Sequence, residues 1–335
     1  MRIDVAIMDT ALANVPAKIA KLAELGVSGV FTAEGPHDPF AALFLATTAE
    51  RSLDLMTNAA IAFPRNPIHL AHAAFDLQAL SGGRFRLGIA PQVGPHISRR
   101  FGLEWSKPVA RMEDLIAALK AIFATWSTGA PLQHEGPFYK HTLMTPMFTP
   151  PQSGFPPPPI ILGALGPQMT ELGGKVADGL TTLPFMSRNY LEEISAPAFT
   201  RGLVSSGRLR SDVEVVTGAI VAVASDHEEL EKAIFATKGL LGFYASTKAY
   251  RPVLESIGEA HRYPEFAELA RAMAFTELAE KVSDKMLSQL AVVGSPQEVA
   301  TELQQRFAWY ADRLAIFFPY AASDQDLAEL CQALS

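Results

Sequence analysis

The chain has 335 residues, of which 49% are hydrophobic and 19% are charged, so it can bury a large core. Its formal net charge is −7 and it has no run of lysine and arginine, which argues against nucleic acid or an anionic membrane as a partner. Cys331 is the single cysteine, so the chain can form neither an internal disulfide nor a cysteine-based metal site.

The first residues predict a strand rather than a signal peptide, because Asp4 interrupts the first apolar stretch. No apolar run approaches the roughly 18 residues that are needed to span a bilayer. Together with the absence of disulfides, these features lead us to expect a cytoplasmic protein without a membrane partner.

Strand-like and helix-like segments alternate through the first third of the chain. We predict strands over residues 2–7, 29–32, 53–61 and 84–89. Helical periodicity predicts helices between them, over about 15–25, 41–50, 67–80 and 112–123. Asn66-Pro67 is typical of a helix start, with asparagine as the N-cap and proline in the first turn.

The alternation continues after a proline-rich insertion at about 126–158. We predict further strands over 160–163, 178–182, 213–224 and 313–318. Helices are expected from Gly166-Pro167, over about 189–205 and over 323–334. Two capping boxes, Ser225 with Glu228 and Ser295 with Glu298, predict two more helix starts. A second, helical insertion lies at about 245–290.

Eight strands with helices between them predict a parallel sheet, and eight such units favour a closed barrel. The prediction is an α/β fold, a (β/α)8 TIM barrel with insertions, as one domain over 1–335. The alternative is a doubly wound dinucleotide-binding sheet. Its glycine-rich turn after the first strand is missing, because residues 8–13 contain no glycine.

Polar residues follow the second strand, at the end of a barrel where active sites form. Glu34, His37 and Asp38 lie within five residues in a loop that also contains glycine and proline. Their side chains could act as acids or bases above a cofactor. The alternative is a solvated loop in which Asp38 caps the next helix.

A glycine-rich turn, Gly163-Ala164-Leu165-Gly166-Pro167-Gln168, follows the fifth predicted strand and enters a helix. Free backbone N–H groups and the helix dipole make such a turn a candidate phosphate site. Arg99 and Arg100 are the alternative anion ligands, although they could equally be a solvated helix face.

A metal site is not expected. His69, His72 and Asp76 share one helix face, but no further ligand clusters with them in the sequence, so a solvated or packed face is favoured.

An ordered set of motifs resembles the luciferase-like monooxygenase superfamily. The motifs include Ser81-Gly82-Gly83-Arg84 and occupy residues 65–67, 81–89, 99–102, 108–113, 136–139, 159–164, 177–179 and 293–299. Residues 37–40 and 142–146 are most similar to the branch of oxidoreductases that uses coenzyme F420, a deazaflavin.

The resemblance implies hydride transfer between F420 and a small organic substrate, with FMN as the alternative cofactor. It places Glu34 near the cofactor ring and a non-prolyl cis peptide at Ala60-Ile61, against the back of the ring. It implies that Ala90, Pro91 and Gln92 contact the cofactor after the fourth strand. It also assigns Gly163, Ala164, Leu165, Gly166 and Gln168 to the phosphate.

This sequence departs from the family where relatives carry a histidine after the strand-two acid. Gly35 occupies that position, so we consider His37 as the replacement catalytic residue, together with Glu34. A further alternative is a non-catalytic binding paralogue. The resemblance also implies a homodimer.

Aromatic residues and methionines in both insertions predict an apolar substrate pocket. These residues are Phe138, Tyr139, Met144, Met147, Phe148, Phe243 and Tyr244. The alternative is that they pack the insertions onto the barrel.

Overall fold

The computed structural model of the chain describes residues 1–7, 11–49 and 52–335. Its twelve strands are β1 Arg2–Ala6, β2 Gly29–Thr32, β3 Asp54–Thr57, β4 Ala60–Ile61, β5 Phe85–Ala90, β6 His134–Glu135, β7 Lys140–His141, β8 Ile160–Ala164, β9 Gly179–Thr182, β10 Glu214–Val223, β11 Ala291–Gly294 and β12 Arg313–Phe317.

Helices lie between the strands and form the second insertion. They are α1 Val15–Glu24, α2 Pro39–Ala46, α3 Pro67–Leu80, α4 Pro108–Thr128, α5 Pro167–Val176, α6 Arg188–Tyr190, α7 Ala196–Ser206, α8 His227–Ala245, α9 Arg251–Ser256, α10 Tyr263–Arg271, α11 Phe275–Glu280, α12 Asp284–Leu290, α13 Pro296–Phe307 and α14 Asp324–Leu334. Within the described ranges, none of them combines the length and the hydropathy that crossing a membrane requires.

Eight of the strands form a closed parallel ring, which confirms the predicted barrel. The order around the ring is β12, β1, β2, β3, β5, β8, β9 and β10. The ring closes because β10 pairs with both β9 and β12. Each barrel strand faces helices on one side and the barrel interior on the other, so strand residues such as those of β10 are almost all buried.

Successive side chains of each strand point alternately into the barrel and toward the helices, so only every second residue fills the interior. One interior cluster takes one residue from each of five strands: Phe31, Met56, Ile161, Val216 and Ala315. These side chains block the centre of the barrel, so the mouth at the C-terminal ends of the strands is separated from the base.

The predicted third strand is interrupted. It forms β3 and β4, with Asn58 and Ala59 between them. The strand β11 pairs with the end of β10 and was not predicted. The second predicted helix begins and ends earlier than expected, and Glu50, its predicted last residue, lies outside the described residues.

One of the two predicted capping boxes is wrong. Asp226, not Ser225, caps α8, and its side chain accepts a hydrogen bond from Glu229 N at 3.0 Å. Ser225 instead donates both its N–H and its hydroxyl to Asp326. The box of Ser295 and Glu298 is confirmed at the start of α13.

Charged side chains fill the base of the barrel. Arg313 is 1% exposed, lies 3.3 Å from Asp4 and also contacts Asp54. Arg86 pairs with Glu214 at 2.6 Å and with Asp54 at 3.3 Å. Burial raises the pKa of Asp4 to about 7, although Arg313 and Arg86 act to lower it.

This raised pKa predicts a pH dependence of stability. Asp4 binds a proton more readily in the folded chain than in the unfolded chain, where its pKa is near 3.8. Its contribution to the free energy of unfolding therefore falls as the pH rises from about 4 through about 7. Asp4→Asn, which does not titrate, should flatten that dependence in urea unfolding between pH 5 and 8. Asp324→Asn, at a surface ion pair with Lys21, is the control. Equal slopes for the wild type and Asp4→Asn would contradict this assignment.

Candidate functional site

A cavity of about 1110 Å³ opens at the C-terminal ends of the barrel strands. This volume exceeds that of an ordinary small-molecule pocket, so it has room for a cofactor and a substrate together. Eight of the twelve predicted catalytic and cofactor-binding residues line it: Glu34, Ile61, Ala90, Gln92, Gly163, Ala164, Leu165 and Gly166.

Four other predicted residues are not part of the described lining. His37, in the loop after β2, and Gln168, in the first turn of α5, are both exposed. Ala60 is fully buried behind the lining, and Pro91 is partly buried beside it. The structure therefore does not bring the candidate base His37 to the cavity, and its catalytic role stays a prediction.

The cis peptide lies two residues earlier than predicted. It joins Asn58 to Ala59, so the assignment to Ala60-Ile61 is wrong. Ala60 and Ile61 are instead the strand β4, whose extended backbone pairs with Ile89 and Ala90 of β5. Asn58 and Ala59 both line the cavity, and they form its floor at the end of β3.

The Asn58 side chain presents a hydrogen-bond donor at this floor. Its Oδ1 accepts a hydrogen bond from the Thr181 hydroxyl at 2.9 Å, which orients the amide. Its Nδ2 is buried and has no partner among the described residues. The residue as a whole is 9% exposed. A buried donor without a partner is costly, so this group suits a ligand that offers an acceptor. Asn58 was not predicted as a site residue because it was assigned to an unbroken strand.

Glu34 is held in an ion pair rather than left free. Arg65 donates to both carboxylate oxygens of Glu34, at 2.9 and 3.3 Å, and Ile61 N donates to the same carboxylate at 3.3 Å. Arg65 also pairs with Asp38 at 3.0 Å. Burial acts to lower the pKa of Arg65, but its contacts with Glu34 and Asp38 outweigh burial and raise it. Glu34 therefore fixes β4 at the cavity floor.

The turn from Gly163 to Gly166 leads from β8 into α5, as predicted. Gly166 is the N-cap and Pro167 the first residue of the helix, and no side chain of the described residues caps this end. The first N–H groups of α5 therefore lack side-chain acceptors at the edge of the cavity. A Cβ atom added at Gly166 would meet open space.

Arg99 and Arg100, the alternative anion ligands, lie in a helical turn over His96–Arg100. Both are exposed, and Arg100 covers the ring of Phe101 at 4.9 Å. His96 does line the cavity. No described group of three histidine, cysteine or acidic residues is arranged to hold a metal ion.

The end of α8 and the start of the second insertion form an aromatic wall, which we define as Phe243, Tyr244 and Tyr250, and all three line the cavity. The rings of Tyr244 and Tyr250 are 5.8 Å apart. Phe185 packs behind them, with ring distances of 5.7 and 6.4 Å.

The first insertion does not wall the cavity, contrary to the prediction. The carboxylate of Asp114 on α4 accepts hydrogen bonds from Phe138 N and Tyr139 N. Arg111 donates to the Tyr139 hydroxyl at 3.1 Å. These contacts fix the insertion on the outside of the barrel, where Met147 and Phe148 are exposed.

Comparisons with known proteins agree with this architecture. The family model described as luciferase-like monooxygenase matches residues 2–313. An uncharacterized protein of Mycobacterium tuberculosis is 41% identical over 318 residues, which are 93% of this chain and 94% of that protein. The 5,10-methylenetetrahydromethanopterin reductase of Archaeoglobus fulgidus is 26% identical over 253 residues, 72% of this chain and 70% of that protein. The F420-dependent glucose-6-phosphate dehydrogenase of Microbacterium testaceum is 28% identical over 225 residues, 63% of this chain and 65% of that protein.

Two solved structures share the fold over nearly the whole chain. The coenzyme F420-dependent tetrahydromethanopterin reductase of Methanopyrus kandleri has a TM-score of 0.84 at 17% identity and covers 99% of this chain and 98% of its own. The oxygenating constituent of 3,6-diketocamphane monooxygenase of Pseudomonas putida, in complex with FMN, has a TM-score of 0.72 at 15% identity and covers 100% and 98%. With the family model matching nearly the full length and the barrel closed as expected, this chain belongs to the luciferase-like monooxygenase family.

Proposed function

We propose that this protein is an oxidoreductase that uses coenzyme F420 to transfer a hydride to or from an apolar organic substrate. The observation that carries the proposal is the uncapped start of α5 at the edge of a cavity large enough for two ligands. Relatives named as F420-dependent, such as the glucose-6-phosphate dehydrogenase, support this cofactor over FMN. The expected homodimer and cytoplasmic location stay predictions.

The residues present fit a flat ring with an anionic tail. Ala59, Ala90, Gly163 and Ala164 keep side-chain volume low along one part of the lining. Asn58 Nδ2 supplies a buried donor for a ring carbonyl, and the start of α5 suits a phosphate. A bound deazaflavin would supply a ring carbon that gives or accepts a hydride.

The other residues of the site orient the ligands and exclude water. The ion pair of Glu34 and Arg65 holds β4, and with it the floor beneath the ring. The aromatic wall covers one side of the cavity and limits the access of water to it.

The first test is a titration of the purified protein with F420 and, separately, with FMN, followed by absorbance and fluorescence. We expect saturable binding of F420 with a Kd in the micromolar range or below, and FMN binding at least tenfold weaker. Tighter binding of FMN would make FMN the cofactor of the proposed reaction. If neither compound binds, the alternative of a non-catalytic binding paralogue is favoured.

The second test places a negative charge at the start of α5. Gly166→Glu should weaken cofactor binding by about 2 kcal/mol, about 30-fold, because the carboxylate repels the phosphate and opposes the helix dipole. Gly166→Gln is the matched control, with nearly the same volume and no charge, and should weaken binding only a few-fold. Both variants should keep the wild-type unfolding midpoint, since a side chain at Gly166 enters open space. Unchanged affinity in folded Gly166→Glu would place the phosphate elsewhere.

The third test concerns the donor at the cavity floor. Asn58→Asp keeps the shape and the bond from Thr181 but replaces the free N–H group by an acceptor. We expect F420 affinity to fall about tenfold or more, because one hydrogen bond is lost and two acceptors face each other. Thr181→Val removes only the orienting bond and should have a smaller effect. Equal affinities of Asn58→Asp and the wild type would show that the amide does not donate to the cofactor.

A further inference from the structure

Two tyrosine hydroxyls on the aromatic wall have no assigned partner. Neither Tyr244 nor Tyr250 forms a side-chain hydrogen bond to any residue that the structure describes. Both side chains are partly buried, and neither hydroxyl is sealed within the protein. The hydroxyls of Tyr190 and Tyr320, by contrast, are bonded to Leu165 O and to the backbone of Val223.

The aromatic wall itself carries no charged side chain, and Lys18, Glu34 and His96 are the charged or titratable residues among the described lining of the same cavity. Burial raises the pKa of Tyr250, and burial together with the neighbouring Tyr250 raises that of Tyr244. No charged side chain of the described residues contributes to either shift. Both phenols are therefore protonated at neutral pH and can donate a hydrogen bond.

This chemistry selects against charged ligands. A carboxylate or an ammonium group placed against the wall would lose its hydration without gaining an opposite charge, which is strongly unfavourable. An aromatic ring gains from contact with the rings of Phe243 and Tyr244, and an oxygen acceptor gains a bond to a phenol. A neutral aromatic compound with one oxygen acceptor meets both conditions.

We propose that the aromatic wall is the substrate subsite and that it binds a neutral aryl ketone or aldehyde, or the corresponding alcohol, through a hydrogen bond from Tyr244 or Tyr250 to its oxygen. The assignment of this ligand as the substrate rests on the proposed function. The binding itself does not, since the wall is formed by the protein alone.

The experiment compares three probes of similar shape on the full-length protein without added cofactor. Acetophenone carries a ring and a carbonyl oxygen, isopropenylbenzene replaces that oxygen by a CH2 group, and benzoate carries a charge. Calorimetry or competition binding at pH 8 should give saturable binding of acetophenone. Isopropenylbenzene should bind about three- to tenfold more weakly, and benzoate at least about tenfold more weakly.

Variants identify the donor. Tyr244→Phe or Tyr250→Phe should remove the preference for acetophenone over isopropenylbenzene and leave the affinity for isopropenylbenzene unchanged. Tyr310→Phe is the control, because its hydroxyl also has no described partner but Tyr310 lies outside the described cavity lining. It should keep the wild-type preference.

The outcomes separate this inference from the proposed function. A preference that survives in both single variants and in the double variant would overturn the role of the phenols. Equal or tighter binding of benzoate would overturn the neutral ligand class. If F420 does not bind but acetophenone binds as expected, the proposed function fails and the subsite stands. If F420 binds and acetophenone does not saturate, with or without the cofactor, the subsite fails alone.

Discussion

The close approach of β3 to β5 at Gly88 determines the floor of the site. A Cβ atom at Gly88 would lie 1.7 Å from the carbonyl oxygen of Thr57, so no other residue fits there without moving the backbone. The Thr57 hydroxyl donates to Gly88 O at 2.7 Å and holds the two strands in this arrangement. The chain then passes through Asn58 and Ala59 and resumes pairing with β5 as β4. The position of the Asn58 amide thus depends on this one glycine.

Contacts with the cavity floor also fix the conformation of the loop after β2. Glu34 bonds to Ile61 N and to Arg65, while Asp38 pairs with Arg65 and also caps α2 through Phe40 N. Both ends of the loop are therefore fixed to one guanidinium group. Between them, Pro36 and His37 are exposed, whereas Ala33 and Glu34 line the cavity.

Features set by local sequence were predicted well, and features set by distant contacts were not. The eight barrel strands follow from alternation, and the start of α5 follows from Gly166-Pro167, since both signals act within a few residues. The position of the cis peptide depends on how β3 passes Gly88, thirty residues away in the chain. Ser225 carries a local capping signal, but Asp326, about a hundred residues away, takes its hydrogen bonds. The role of Asn58 likewise depends on Thr181, on the far side of the barrel.

The polar groups at the two ends of the barrel differ: the base holds ion pairs, and the mouth holds hydrogen-bond donors. At the base, Asp4, Asp54 and Glu214 lie against Arg86 and Arg313, so opposite charges pair inside the protein, while Asp4 Oδ1 and Arg313 Nε form no hydrogen bond with the described residues. At the mouth, Glu34 is the one acidic side chain among the described residues of the lining and is paired with Arg65, and several hydrogen-bond donors face the cavity. These are the Asn58 amide, the first N–H groups of α5 and two phenols. A buried donor without an acceptor, such as Asn58 Nδ2, is unfavourable, so a ligand that offers oxygen acceptors gains hydrogen bonds at the mouth. A ring with carbonyl groups, a phosphate and a carbonyl substrate supply those acceptors, each at a different part of the same cavity.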